Sequence, residues 1–160
     1  MRSARMWAAV AAALVVLATA SGCSWFGGDS GSGKNVSTFK LKSGDCMVPP
    51  AKVKAELSKV QVVPCTSPHT QEVYASVKFT GDNAGANAPY PGDDTLKKFA
   101  DGQCAQLYQR YVGVAYPDSS LFFTYLLPSP RSWQAGDRSV VCVVTTTGNR
   151  LTRSVKSSRL

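Results

Sequence analysis

Histidine occurs once in the 160 residues, and Asp plus Glu total only 10 against 18 Lys plus Arg. A single imidazole cannot build a histidine-based zinc centre, and no two of the five cysteines stand in C-x-x-C spacing, so no metal is expected. No serine sits in a G-x-S-x-G turn. Glu56 and Glu72 lack the surrounding motif that paired-carboxylate glycoside cleavage would need. No pattern requires a cofactor, and no internal repeat is present. Against these absences, 44% hydrophobic and 18% charged residues exclude a disordered chain, and the length suits one globular domain.

The longest apolar run lies at the start. Arg2 and Arg5 precede Met6 to Ala20, which leads to Ala20-Ser21-Gly22-Cys23. A positive segment, a short apolar stretch and small residues are the parts of an export signal, and the run is shorter than the roughly 20 residues of a spanning helix. Residues 1–22 therefore read as a lipoprotein signal peptide. The site resembles a bacterial lipobox, with Ala20 where the commonest version carries Leu. An uncleaved anchor helix, or ordinary cleavage that leaves Cys23 as a spare thiol, are the alternatives. Removing Cys23 leaves an even set, Cys46, Cys65, Cys104 and Cys142, in an exported chain where disulfides persist. Acylation of Cys23 with groups such as palmitate would anchor the chain to membrane lipid, since each buried methylene contributes about 0.8 kcal/mol. The expected location is extracytoplasmic, lipid-anchored to the cell membrane. Residues 23–35, rich in Gly and Ser, read as the lipidated Cys and a flexible linker whose coil would span about 20 Å.

Residues 36–148 read as the folded domain. Val36 to Leu41, Val60 to Cys65, Glu72 to Phe79, Leu121 to Leu127 and Ser139 to Thr146 have the β-branched and aromatic content of strands. Alternation in the third places Val73, Ala75, Val77 and Phe79 on one face and Glu72, Tyr74, Ser76 and Lys78 on the other. Both faces of Leu121 to Leu127 are apolar, which suits a central strand. From Asp93 the period changes: Leu96, Phe99, Ala100, Cys104, Leu107, Tyr108 and Tyr111 recur every three or four residues, so one main helix is expected, started by Asp93 or Asp94 and stopped at Gly113. The predicted class is α+β, a small antiparallel sheet packed against that helix and stapled by two disulfides. Four cysteines allow three connectivities. Cys104 on the helix's apolar stripe and Cys142 between Val140 and Val144 can meet in the core, which favours Cys46 with Cys65 and Cys104 with Cys142.

Arg150, Arg153, Lys156 and Arg159 place four cations in residues 149–160 without an acid, read as a basic, solvated C-terminal tail. Export makes nucleic acid an unsuitable partner, so the attractive surfaces are anionic lipids, an anionic envelope polymer or an acidic protein. Trp133, Tyr90, Tyr116, Phe122 and Tyr125 are either core or the lining of a groove for glycan or peptide. His69 close to Glu72 suits a turn hydrogen bond better than a nucleophilic pair.

Gly44-Asp45-Cys46-Met47, Val63-Pro64-Cys65, Pro68-His69, Glu72-Val73-Tyr74, Tyr90-Pro91-Gly92, Cys104, Trp133, Gly136-Asp137-Arg138 and Cys142 together resemble the septum formation domain family of exported lipoproteins from high-GC Gram-positive bacteria. Members often carry Asp after the histidine, where Thr70 stands here. The resemblance implies that the four cysteines occupy disulfide positions. It also casts Asp45, Pro68, His69, Glu72, Trp133, Gly136, Asp137 and Arg138 as polar scaffold, with Asp137 and Arg138 paired. His69, Glu72, Trp133 and Arg138 are alternatively a recognition surface. The function implied is a noncatalytic module associated with septum formation or cell-envelope growth, binding a division or wall-assembly protein. The alternative is an envelope hydrolase or transferase acting on wall polymer through His69 and Glu72.

Overall fold

A computed structural model describes residues 33–52 and 57–160. Residues 1–22, read above as a signal peptide, Cys23, most of the segment read as a linker, and Glu56 lie outside the described residues. No helix among those described is long and apolar enough to cross a membrane.

The chain forms β1 (Lys34–Ser37), a 3-10 turn (Thr38–Lys40), β2 (Cys46–Val48), β3 (Lys59–Val63), β4 (Gln71–Lys78), α1 (Asp93–Val112), a second 3-10 turn (Tyr116–Asp118), β5 (Phe122–Leu126), α2 (Pro130–Gln134) and β6 (Ser139–Thr145). The strands make one antiparallel sheet in the order β1-β3-β2-β4-β6-β5. The class is thus α+β, as the sequence predicts. Among the described residues the first strand starts at Lys34, inside the segment read as linker, and Thr38 to Lys40 leave the predicted first strand as a turn.

The apolar stripe of α1 explains one side of the core. Ala100, Cys104, Tyr108, Tyr111 and Val112 pack with Val140, Cys142 and Val144 of β6, all buried. The opposite sheet face carries Met47, Val60, Val73, Val141 and Val143 as a second cluster. Alternation along β6 therefore feeds two cores, and that strand is buried along Val140–Val144. β5, predicted as central, is an edge strand with Phe122 45% exposed. Phe123, on the α1 side, packs against Tyr108 and Tyr116, and this explains an apolar residue on a strand with one free edge.

A bulge alters the face assignment in β4. Glu72 pairs with Val144 and Val73 with Val143, but Ala75 is the residue opposite Cys142, so Tyr74 is inserted. The extra residue reverses the phase. Val73 joins the second cluster, while Tyr74, Ala75 and Val77 all face α1. Glu72 stays on the α1 side with Tyr74, enclosed in the core. The expectation that Val73, Ala75 and Val77 share a face is thereby corrected.

Asp93 and Asp94 occupy the first turn of α1, where negative charge suits the helix dipole, but the residue at the cap is Gly92 and neither aspartate caps an amide with its side chain. Asp94 lies 3.8 Å from Lys97 rather than pairing with Lys98. Gly113 ends the helix at φ 89°, a left-handed geometry that glycine adopts without Cβ strain. Both disulfides form as favoured: Cys46–Cys65 with Cα atoms 5.2 Å apart and Cys104–Cys142 at 5.5 Å.

Packing around α1 gives the fold an alkaline limit. Burial raises the phenol pKa of Tyr74, Tyr108 and Tyr111 above the ordinary 10.0, reinforced at Tyr111 by the Glu72 carboxylate. The unfolded chain then loses these protons first. The associated stability is complete below about pH 10 and lost as pH rises toward the folded values. The melting temperature should fall steeply above pH 10, with tyrosinate absorbance appearing at the unfolding transition; free titration of all six tyrosines near pH 10 in the folded protein would contradict it.

Candidate functional site: a buried carboxylate, a guanidinium clamp and an open cleft

The predicted polar residues separate into two assemblies, the first buried and the second partly exposed around Arg138. In the first, Glu72 is 0% exposed. Its Oε1 accepts from Tyr111 Oη at 2.5 Å and Ser154 Oγ at 2.6 Å, and its Oε2 accepts from the Val155 amide at 2.8 Å. Three donors from α1 and the chain's end satisfy this carboxylate without a cation, as a buried anionic oxygen pair requires.

Those contacts correct the reading of residues 149–160. They form an ordered strap, not a separate solvated tail. Leu151 exchanges backbone hydrogen bonds with His69, Val155 is fully buried, and the amides of Ser157 and Arg159 donate to the Tyr111 and Val112 carbonyls. These carbonyls belong to the last turn of α1, where intrahelical donors run out. To reach them Ser157 and Arg159 take φ of 56° and 57°. Each left-handed non-glycine residue costs on the order of 1–2 kcal/mol, which the cluster of hydrogen bonds offsets.

His69 is 1% exposed. Its Nδ1 donates to the Ser67 carbonyl at 2.8 Å, because a carbonyl can only accept. Nε2 is buried without a partner. The ring faces protein rather than solvent, so neither it nor Glu72 is placed to meet a polymer substrate. The sulfurs of Cys46 and Cys65 and the Glu72 carboxylate lie within 4.8 Å of one another. The sulfurs are bonded together and the carboxylate is occupied by donors, so this donor set does not suit a metal ion.

The second assembly joins α2 to the Gly- and Ala-rich segment 81–91. Ser129 caps α2, accepting from the Ser132 amide while Ser132 Oγ accepts from the Ser129 amide, and Pro130 starts the helix. This fixes Trp133, 2% exposed, whose indole N–H donates to the Ala88 carbonyl at 2.9 Å. The Arg138 guanidinium lies 3.7 Å from the Trp133 ring centroid. It donates to the carbonyls of Trp133, Asp137, Gly85 and Ala86 at 2.7–3.0 Å. The Asp137 carboxylate instead accepts from Ser132 Oγ and the Ser139 amide, so the expected side-chain pair with Arg138 does not form.

His69, Glu72, Trp133 and Arg138 are therefore not one exposed recognition face. Arg138→Lys should destabilise the domain by about 1–3 kcal/mol, because a point charge cannot replace the planar fork over the indole. Limited proteolysis should show earlier cutting within residues 84–88; an unchanged melting temperature and cutting pattern would refute the clamp.

An open site that the sequence reading missed lies around Phe39, which is 51% exposed. A cleft of about 290 Å³ is lined by Phe39, Thr38, Tyr90, Asp93, Tyr125 and Leu126. Tyr90 Oη donates to Asp93 Oδ1, and burial followed by that carboxylate raises the phenol pKa. Of the predicted groove aromatics, Tyr90 and Tyr125 are here, Trp133 is core, and Tyr116 packs on Tyr108 and Phe123. Phe39 was hidden because Val36 to Leu41 reads as one strand, which gives no reason to turn the ring outward.

A family model described as septum formation matches residues 43–159, reaching from the turn before Cys46 to the end of the strap. No match was found among curated proteins or among solved structures.

Proposed function

The chain belongs to the septum formation family, and on that footing we propose that it is an extracytoplasmic lipoprotein, tethered through acylated Cys23, whose domain serves septum formation or envelope growth as a noncatalytic binding module. The observation that carries the noncatalytic reading is the burial of the two acid/base candidates. Catalytic proton transfer needs a side chain within hydrogen-bond reach of the substrate. Glu72 is enclosed by Tyr111, Ser154 and Val155, and His69 is buried beneath the strap. The cleft at Phe39 offers exposed aromatic surface at little cost to the core. Its expected use is contact with a division or wall-assembly protein.

Purified full-length protein should release no product from wall polymer, and proximity labelling from the tethered chain in growing cells should mark division or wall-assembly proteins. Phe39→Asp should reduce that labelling while leaving the melting temperature within a few degrees. Wall-polymer turnover that disappears in a folded His69→Ala variant would establish the hydrolase or transferase instead.

A further inference from the structure

Antiparallel pairing fixes which parts of the chain meet at each end of the sheet. Lys34 stands opposite Val62, Cys46 opposite both Val63 and Glu72, and Gln71 and Phe122 both opposite Thr145. The starts of β4 and β5 therefore meet the close of β6 at one end of that half of the sheet, while β1 and β2 run the opposite way and only begin at the same level of the ladder. The strap lies at this end, through Leu151 on His69 and Val155 on Glu72. Gly33, whose neighbours are Gln61 and Val63, stands at the same level across the sheet, and from it the chain runs back toward Cys23.

Pinning of the strap sorts its side chains. Leu151, Ser154, Val155 and Ser158 are turned at least partly inward, and Arg150, Arg153, Lys156 and Arg159 are all exposed. A cation every third residue thus decorates an ordered scaffold. Lys34 stands at the same level of the ladder, and the acids beside the strap are the enclosed Glu72 and Asp118, next to the Ser119 that holds Leu160. Asp45 is turned back onto the Lys42 amide. Other acids, Asp82, Asp93, Asp94 and Asp137, flank the opposite end, where β4 stops and α1 and β6 start, mixed there with Lys78, Lys97 and Arg138, and Asp101 lies further along α1. Of the three large hydrophobic residues most exposed, Phe122 (45%) and Leu160 (46%) lie at the cationic end, Phe122 at the start of β5 and Leu160 on Ser119.

We propose that this end of the domain, the strap with Phe122 and Leu160, docks on an anionic phospholipid surface. Cations around exposed apolar side chains are the composition of a peripheral membrane contact. The inference rests on the tether reading above: an acylated Cys23 only ten residues before Gly33 would keep this face near the bilayer, where a screening length of about 8 Å rewards close approach. The Phe39 cleft, on the far side of β1 from Gly33, is thereby turned away from the lipid.

The test uses full-length protein purified from membranes and reconstituted into phosphatidylcholine vesicles with or without phosphatidylglycerol. Tryptic cleavage after Arg150, Arg153 and Lys156 should be about tenfold slower or more when about a third of the lipid is phosphatidylglycerol, with the difference collapsing at high salt. Cleavage after Lys97 and Lys98 on α1 should change little. Equal strap cleavage on the two vesicle types overturns the proposal, as does protection by a soluble anionic wall polymer without protection by phosphatidylglycerol. Flotation at high salt reads the tether separately. A chain that washes off while still showing anionic protection contradicts Cys23 acylation and supports the docking face.

Discussion

Glu72→Ala should lower folding stability by about 3–5 kcal/mol in denaturant titration, because it leaves Tyr111 Oη, Ser154 Oγ and the Val155 amide as buried donors without an acceptor. Against a typical domain stability of about 5–15 kcal/mol this is a large share. Glu72→Gln should cost less, about 1–3 kcal/mol, since one oxygen still accepts while its amide group opposes the Val155 N–H. The strap should loosen in both, so trypsin should reach Arg153 and Lys156 earlier. A Glu72→Ala variant as stable as the unmodified protein would mean that the carboxylate does not anchor the strap.

The second large effect concerns the bridge between α1 and β6. Replacing Cys104 and Cys142 together by serine should cost about 4 kcal/mol by the chain-entropy account for a sequence separation of 38, and the 19-residue separation of Cys46–Cys65 predicts about 3 kcal/mol. The inner pair should cost still more in practice, because two hydroxyls would enter a core where both cysteines are 0% exposed. Exposure also sets the order of reduction. Cys65 is partly open to solvent, so a small dithiol should open Cys46–Cys65 in the folded state, whereas Cys104–Cys142 should wait for unfolding. Alkylation followed by mass mapping reads both; prior loss of the inner bridge would contradict the packing.

Elements whose periodicity is long and uniform were legible in the sequence. The stripe from Leu96 to Tyr111 specifies α1, and the same stripe places Cys104 to meet Cys142. Short or interrupted elements were not. β2 has three residues and α2 five, too few to establish a period, and α2 is defined by its Ser129–Ser132 cap rather than by an apolar face. The Tyr74 bulge inverts a pattern that sequence alternation extends unbroken. The strap was hidden by its charge. Its buried contacts rest on Leu151 and Val155 and on backbone amides, which carry no side-chain signal, while its four cations suggest solvent.

The candidate site followed the same division. Burial of Glu72 depends on donors from Tyr111 and from residues more than eighty positions downstream, so a glutamate in an alternating strand reads as exposed or catalytic until the strap is placed. Trp133 and Arg138 were identified as important residues, but their common role in holding carbonyls of residues 85–88 depends on tertiary contacts.

Hydrogen exchange at the Val155 amide tests most directly the claim that Glu72 and the C-terminal strap are structural parts of one domain. Val155 should exchange as slowly as the central amides of β6, and Glu72→Ala should bring it close to the rate of an unstructured peptide while β6 remains protected by comparison. Peptide-like exchange at Val155 in the unmodified protein would contradict the account, returning residues 149–160 to a solvated tail and Glu72 to an unengaged carboxylate.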